Sequence, residues 1–325
     1  MVNYNDIEDA SKRIAGRAII TPLIESQLLN KKLDGRLLFK AEPLQITGSF
    51  KFRGAFNKLS ILDKKINLKG VVAYSSGNHA QGVAAASAYF NVPSVIIMPF
   101  DAPSIKLMNT RELGGEVILY DRYKESREEI GEKLAKDREL SLVKPYDDYD
   151  IIAGQGTLGR EIAIQCKDLN ILPDQIICPC GGGGLMSGTA IALQHHFPEI
   201  SIWSAEPENY DDTKRSLEAG ERISNNTNKP SICDSIVTPI PGKLTFPILK
   251  KFLRGGKVVN ESQIIDAMAT ALQYLKLMVE PGGCVGFAAI LAGILDTRGK
   301  TTVIVLSGGN LNLSFLKYYI LQIIH

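Results

Sequence analysis

Short β-branched runs alternate with helical patterns along most of the chain. Val71 to Tyr74 predicts a strand, Asn78 to Phe90 an Ala-rich helix, Ser94 to Met98 a strand and Pro103 to Leu113 a helix. Val117 to Tyr120 follows as a third strand, then a charged amphipathic helix from about Lys124 to Arg138 and a short strand at Ser141 to Val143. A second series runs through Gln175 to Cys178, a helix after Gly181 to Gly184, Ser201 to Ala205, a helix from Glu261 to Met278, and Thr302 to Leu306. This alternation predicts an α/β protein with open, mostly parallel sheets covered on both faces. Residues 144–157 (KPYDDYDIIAGQGT) predict a turn-rich crossing between the two series, and Glu218 to Pro241 a polar loop containing NNTNKP.

At about 150 residues per domain, a chain of 325 suggests two. Apolar residues at 45% and charged residues at 22% exclude a disordered, collagen-like or coiled-coil chain. Lysine and arginine number 37 against 35 acidic residues, so the positive field that nucleic acid calls for is missing. The first ten residues, MVNYNDIEDA, carry no basic start and no apolar core of a secretory signal. Apolar runs such as Val95 to Met98 are far too short to span a membrane. Five cysteines cannot all pair, and Cys178 and Cys180 form C-x-C rather than a two-dyad zinc pattern. Together these features point to a cytoplasmic protein with reduced thiols, and a homodimer is the expected assembly.

Candidate chemistry gathers at a few places. In GSFKFRGA, Lys51 stands between Phe50 and Phe52, where partial desolvation would lower its pKa and favour a nucleophilic amine. The plain alternative is an exposed lysine at a helix start. Ser75, Ser76, Gly77, Asn78 and His79 follow a strand and open a helix, so their backbone N–H groups suit a carboxylate or phosphate, or simply form an N-cap. Gly181, Gly182, Gly183, Gly184 and Leu185 also lie between strand and helix, and four glycines let the backbone wrap an anion. EPGG (280–283) and LSGGN (306–310) set polar side chains beside glycines, Ser307 directly after a strand.

A dinucleotide fold is the rival reading, because Gly182-x-Gly184-x-x-Ser187 approaches its fingerprint and Glu206 ends a strand about 20 residues on. The third glycine is absent, however, and that reading leaves Lys51 and the SSGNH segment without a role.

Taken in order, GSFKFRGA, SSGNHAQG, GGGGL, EPGG and LSGGN resemble the fold type II pyridoxal-phosphate enzymes, specifically the threonine/serine dehydratase and serine racemase family. The likeness runs from about Thr21 to Asn310. It implies a tryptophan synthase β-like fold of two open α/β domains: a small one over residues 63–148, inserted in a large one over 1–62 and 149–325, with the active site in the cleft.

The resemblance also implies roles. Lys51 matches the lysine that holds pyridoxal 5'-phosphate in Schiff-base linkage and abstracts the substrate Cα proton. Phe50 and Gly242 would lie against the two faces of the ring, Asn78 at its hydroxyl, Gly181 to Leu185 around the phosphate and Ser307 at the ring nitrogen. A serine there leaves the nitrogen neutral and favours expulsion of a β-hydroxyl over a long-lived carbanion. The Ser75 to His79 backbone would bind the substrate carboxylate, and Ser76 matches the racemase residue that returns a proton from the opposite face.

Arg127 resembles an arginine that reaches a substrate's distal polar group, although by composition it is a solvated helix charge. Glu206, the carbonyl of Tyr210 and Asp212 match a Mg²⁺ or Ca²⁺ site found in part of the family, or are an exposed acidic loop. Gly283 stands where many serine racemases carry alanine, which tilts the reading toward dehydratases. Only 15 residues follow Asn310, so no C-terminal regulatory domain and no feedback by isoleucine are expected.

The expected activity is elimination of water from L-threonine or L-serine, giving a 2-oxo acid and ammonia. The alternatives are serine racemisation, dehydration of another β-hydroxy amino acid such as 3-hydroxyaspartate, and a non-catalytic protein that only binds the cofactor.

Overall fold

The structure, a computed structural model, describes residues 1–64, 68–225 and 229–317, so residues 226–228 of the expected polar loop lie outside the described residues. The chain opens with α1 (Tyr4–Ile14), β1 (Leu23–Glu25), α2 (Gln27–Lys32), β2 (Arg36–Ala41) and α3 (Lys51–Leu62). Then come β3 (Val71–Tyr74), α4 (Asn78–Tyr89), β4 (Ser94–Pro99), α5 (Ser104–Glu112), β5 (Glu116–Tyr120), α6 (Arg127–Asp137) and β6 (Ser141–Leu142). After them follow α7 (Tyr149–Asp168), β7 (Gln175–Pro179), α8 (Gly184–His196), β8 (Ser201–Pro207) and α9 (Asp212–Ala219). The last elements used below are α10 (Thr245–Phe252), β9 (Gly255–Val259), α11 (Glu261–Thr270), α12 (Pro281–Leu291) and β10 (Thr301–Leu306).

Six strands lie in the order β1, β2, β10, β7, β8, β9, parallel throughout except where β1 runs against β2. Four more, in the order β5, β4, β3, β6, form a second, wholly parallel sheet. Successive side chains of a strand point to opposite faces, and here both faces are apolar. Leu37 and Phe39 of β2 and Ile304 of β10 pack with Ile264, Met268 and Phe287 of α11 and α12. Leu38, Val303 and Val305 face the other way, onto Leu158 and Ile162 of α7 and Met186 of α8. Burial on both sides is why these strands read as continuous hydrophobic runs rather than alternating ones.

Two expectations need correction. Residues 149–157 are not a turn but the first turns of α7, whose N-terminus is capped by the Asp148 carboxylate accepting from the N–H groups of Asp150 and Ile151 at 2.9 and 3.1 Å. The glycines that suggested a turn let helices meet backbone to backbone. A Cβ on Gly154 would fall 2.6 Å from the Cα of Gly54 in α3, and one on Gly188 in α8 would fall 2.6 Å from the Cα of Gly156. The propensity cost of about 1 kcal/mol per helical glycine is therefore offset by close packing. The helix expected from Glu261 to Met278 stops at Thr270, passes through a single wide turn at Ala271–Leu275 and breaks at Lys276, whose φ is +60°.

No helix among the described residues is long and apolar enough to cross a membrane. All five cysteines are free and buried.

Candidate active site

In open α/β sheets, ligands bind beyond the carboxyl ends of the strands. Ser75 to His79 follow β3, Cys180 to Leu185 follow β7, and Ser307 follows β10. Members of all three segments meet Phe50, Lys51 and Arg127 around one cleft.

Lys51, the first residue of α3, donates from its amine to the Pro145 carbonyl at 2.8 Å and lies 5.2 Å from the centre of the Phe50 ring. Burial, reinforced by the positive charge of Arg127, brings its pKa down from 10.5 to about 8. Only one of the flanking aromatics stays with it, since Phe52 turns into the core beside Phe56.

The glycine run is built to bring backbone close. Gly183 has φ +90°, and a Cβ on Gly182 would fall 2.4 Å from the Tyr146 ring. Since α8 begins at Gly184, its first N–H groups lack intrahelical acceptors and lie at the cleft, a ready anion site.

At the start of α4, the Asn78 amide is held at both ends. Its nitrogen donates to the Glu280 carboxylate, and its oxygen accepts from the Asn310 amide at 2.9 Å. The second hydrogen on that nitrogen remains for a group in the cleft. His79 Nε2 lies 3.1 Å from the Val143 carbonyl, so Nε2 carries the proton, and the buried Nδ1 has no partner. Burial and the Lys51 charge pull its pKa to about 3, which keeps the ring neutral. The Ser76 hydroxyl donates to the Asp234 carbonyl at 3.4 Å, and that of Ser75 accepts from Gly77 N–H at 3.1 Å.

Arg127 opens α6 behind a Ser126 cap, yet it lines the cleft, its guanidinium 5.2 Å from the Tyr74 ring centre and its Nε bonded to Glu128 at 2.8 Å. The reading of it as a solvated helix charge is therefore corrected. Ser307 is buried and lines the cleft. Gly283 leaves room for the turn after Ser307, because a Cβ there would fall 2.7 Å from the Gly308 carbonyl oxygen.

Two of the residues expected at the cleft lie outside its lining. Gly242 packs beneath the glycine run, donating its N–H to the Gly182 carbonyl at 3.2 Å, and a Cβ on it would strike Asp147 Oδ1 at 2.3 Å. Ser235 and Ile236 line the cleft instead. Gly77 sits behind its loop, against the stem of Lys106. Sequence reasoning missed Tyr74, Tyr146, Asp234 and Thr238, which also line the cleft. Asp234 and Thr238 lie in the segment read as a plain polar loop, although Thr238 Oγ1 is buried without a partner.

Glu206 is fully buried, accepting from the N–H groups of Thr213 and Lys214 at 2.8 Å each as it caps α9. Asp212 accepts from the Asn225 amide at 2.7 Å while its Oδ2 is buried and unpartnered. Both are thus interior carboxylates rather than an exposed acidic loop, and burial raises the pKa of each. The Tyr210 hydroxyl points to the Lys229 carbonyl at 2.6 Å. Among the described residues no group of three or more His, Cys, Asp or Glu side chains is arranged to hold a metal.

The sequence profile of the family described as "Pyridoxal-phosphate dependent enzyme" matches residues 14–308. The chain belongs to the pyridoxal-phosphate-dependent enzymes. The site's own geometry fits that cofactor: a lysine amine of lowered pKa for an aldehyde, an aromatic ring beside it, and a glycine run opening a helix whose free N–H groups lie at the cleft.

Among relatives of this pyridoxal-phosphate enzyme, the L-threo-3-hydroxyaspartate ammonia-lyase of Saccharomyces cerevisiae is 40% identical over 95% of this chain and 94% of its own. The serine racemase of Schizosaccharomyces pombe is 37% identical over 98% and 97%. The crystal structure of a threonine deaminase from T.th. superposes with a TM-score of 0.89 at 39% identity, covering 95% of this chain and 99% of the other. The expected fold type II is borne out, and the protein is a pyridoxal-phosphate-dependent lyase by relationship. Its relatives act on small amino acids, as their names state.

Proposed function

We propose that the protein is an ammonia-lyase of β-hydroxy amino acids that prefers L-threo-3-hydroxyaspartate to L-serine and L-threonine. One observation carries the preference: the guanidinium of Arg127 stands in the cleft with Lys51, where a substrate bearing a second carboxylate would meet it. Desolvated, forked pairing with a carboxylate is what arginine does best. Threonine and serine, first in the sequence reading, offer it nothing of opposite charge.

Pyridoxal phosphate, when bound, supplies the electron sink for charge developing at Cα. Lys51 would hold it covalently and, as a neutral amine, take the Cα proton. Gly181 to Leu185 would hold its phosphate, Phe50 one face of its ring, Asn78 the ring hydroxyl, and Ser307 a ring nitrogen left unprotonated. The N–H groups of Ser76, Asn78 and His79, which the loop and helix leave free, would bind the α-carboxylate and orient the Cα–H bond toward Lys51. Loss of the β-hydroxyl, then hydrolysis, gives oxaloacetate and ammonia. Racemisation is the second reading, favoured by the Ser76 hydroxyl lining the same cleft.

We further propose that residues 63–148 act as a small domain against the remainder, that the active form is a cytoplasmic homodimer, and that Glu206, Asp212 and the Tyr210 carbonyl hold Mg²⁺ or Ca²⁺. The bare Asp212 Oδ2 beside a second buried carboxylate supports the cation. A chelator that leaves the melting temperature unchanged would dismiss it.

The deciding experiment assays the cofactor-loaded protein on L-threo-3-hydroxyaspartate, L-serine and L-threonine, following 2-oxo acid release and the chirality of the remaining amino acid. The highest kcat/KM on hydroxyaspartate is expected. A higher value on serine or threonine would restore the simpler dehydratase, and accumulating D-serine would establish the racemase.

A further inference from the structure

Lys106 lies on α5 beside the four-stranded sheet, yet its ammonium is spent on the other half of the molecule. It is 1% exposed and bonds Asp234 at 2.9 and 3.2 Å and Glu280 at 3.0 Å. Glu280 in turn is the N-cap residue of α12 and is bonded through its other oxygen to the Asn78 amide. A chain of contacts thus runs from Lys106 through Glu280 to Asn78 and on to Asn310.

The route the lysine takes is equally specific. A Cβ on Gly77 would stand 2.1 Å from its Cδ and 3.0 Å from its Cγ. The stem therefore runs directly under the loop from Ser75 to Asn78, which borders the cleft. The φ of Gly77 is 170°, outside the left-handed region, and what a Cβ there would meet is the Lys106 stem.

We propose that Lys106 is a positioning residue: it latches the four-stranded half onto the six-stranded half, and through Glu280 it fixes the Asn78 amide and the loop from Ser75 to Asn78. The latch rests on the cleft being the cofactor and amino-acid site, and holds whichever β-hydroxy amino acid is preferred. A loop free to drift by about 1 Å costs roughly a hundredfold in reactions that depend on alignment.

Lys106→Met keeps the stem and removes the charge. Its expected signature is a weakening of pyridoxal phosphate affinity, read by absorbance titration, of about tenfold, with a KM rise of at least about tenfold and a smaller fall in kcat. Lys106→Arg should recover most of both, because a guanidinium still reaches two carboxylates. A merely structural role would lower the melting temperature and leave these constants unchanged per folded molecule.

Gly77→Ala tests the same latch from the loop side, and serves alone if Lys106→Met does not fold. It should copy the losses of Lys106→Met but add little to Lys106→Ala, where the space is already open. Unaltered cofactor affinity and KM in Lys106→Met, or fully additive losses in the Gly77→Ala and Lys106→Ala pair, would overturn the proposal. Cofactor titration needs no substrate, so a wild-type protein that bound cofactor but turned over none of the three amino acids would sink the function and leave the latch to be judged on affinity.

Discussion

The backbone N–H of Phe50 donates to the carbonyl of Ser307 at 3.1 Å. This bond ties the start of the helix that carries Lys51 to the end of β10, in the centre of the six-stranded sheet. The lysine amine and the serine proposed for the ring nitrogen are thereby set on one rigid frame, and substitutions in the site act on chemistry more than on its scaffold.

Capture of the cofactor's aldehyde requires a neutral amine. With the Lys51 pKa lowered to about 8, uptake of pyridoxal phosphate by the cofactor-free protein should accelerate with pH up to about 8 and then level off. A rate still climbing above that point would mean an ordinary, solvated lysine. Lys51→Ala should show no visible absorbance from lysine-bound cofactor at any pH.

Arg127→Met removes the proposed partner of a distal carboxylate. A charged hydrogen bond contributes about 1.5 to 3 kcal/mol, so kcat/KM for L-threo-3-hydroxyaspartate should fall about thirtyfold while that for L-serine changes little. Equal losses on both substrates would assign Arg127 to the cofactor or to folding.

Replacing Ser76 by alanine separates its two candidate roles. D-serine formation, followed by chiral chromatography, should drop much further than pyruvate release if its hydroxyl returns a proton. Parallel losses would leave it only as part of the carboxylate-binding helix start.

Arg53, two residues past the lysine, is fully buried and bonds Glu42 at 2.8 Å through two nitrogens and Glu161 at 2.6 and 2.9 Å, with Lys40 joining Glu161 at 2.7 Å. Arg53→Met strands buried carboxylates and should cost about 3 to 5 kcal/mol in urea unfolding. Burial pushes the Glu42 carboxyl up, but Arg53 outweighs it and holds the pKa below 4.5. The pair's stabilisation is thus complete above the unfolded value and lost as pH falls through the lower folded one. An acid limb of the stability curve identical in Arg53→Met and wild type would contradict this.

Much of the site was legible because its chemistry sits where strands stop, and strands such as Val71–Tyr74 announce themselves by β-branched runs. The glycine run, SSGNH and Ser307 needed only that placement. Long-range packing was harder. Gly154 and Gly156 spell a turn by composition and form a helix because Gly54 and Gly188 lie opposite. Lys106 looks like any surface charge on an amphipathic helix, since nothing local records that its stem passes under Gly77 to Glu280. Composition alone reads Arg127 the same way, and only the family likeness singled it out, whereas Gly242 shows the converse: a glycine beside the site in sequence need not face it.

The stacked glycines of α3, α7 and α8 have a consequence for what the cleft accepts. Lys51 starts α3 and the phosphate cradle starts α8, and the spacing of those two helices is set by backbone pressed against backbone through α7. The seam acts as a gauge, fixing the reach from amine to cradle chiefly by main chain on main chain where Gly154 meets Gly54 and Gly188 meets Gly156. A methyl group on Gly154 or Gly188 would meet backbone and lengthen the gauge, so a vitamer would be admitted by the length between its carbonyl and its phosphate before any single contact is tested.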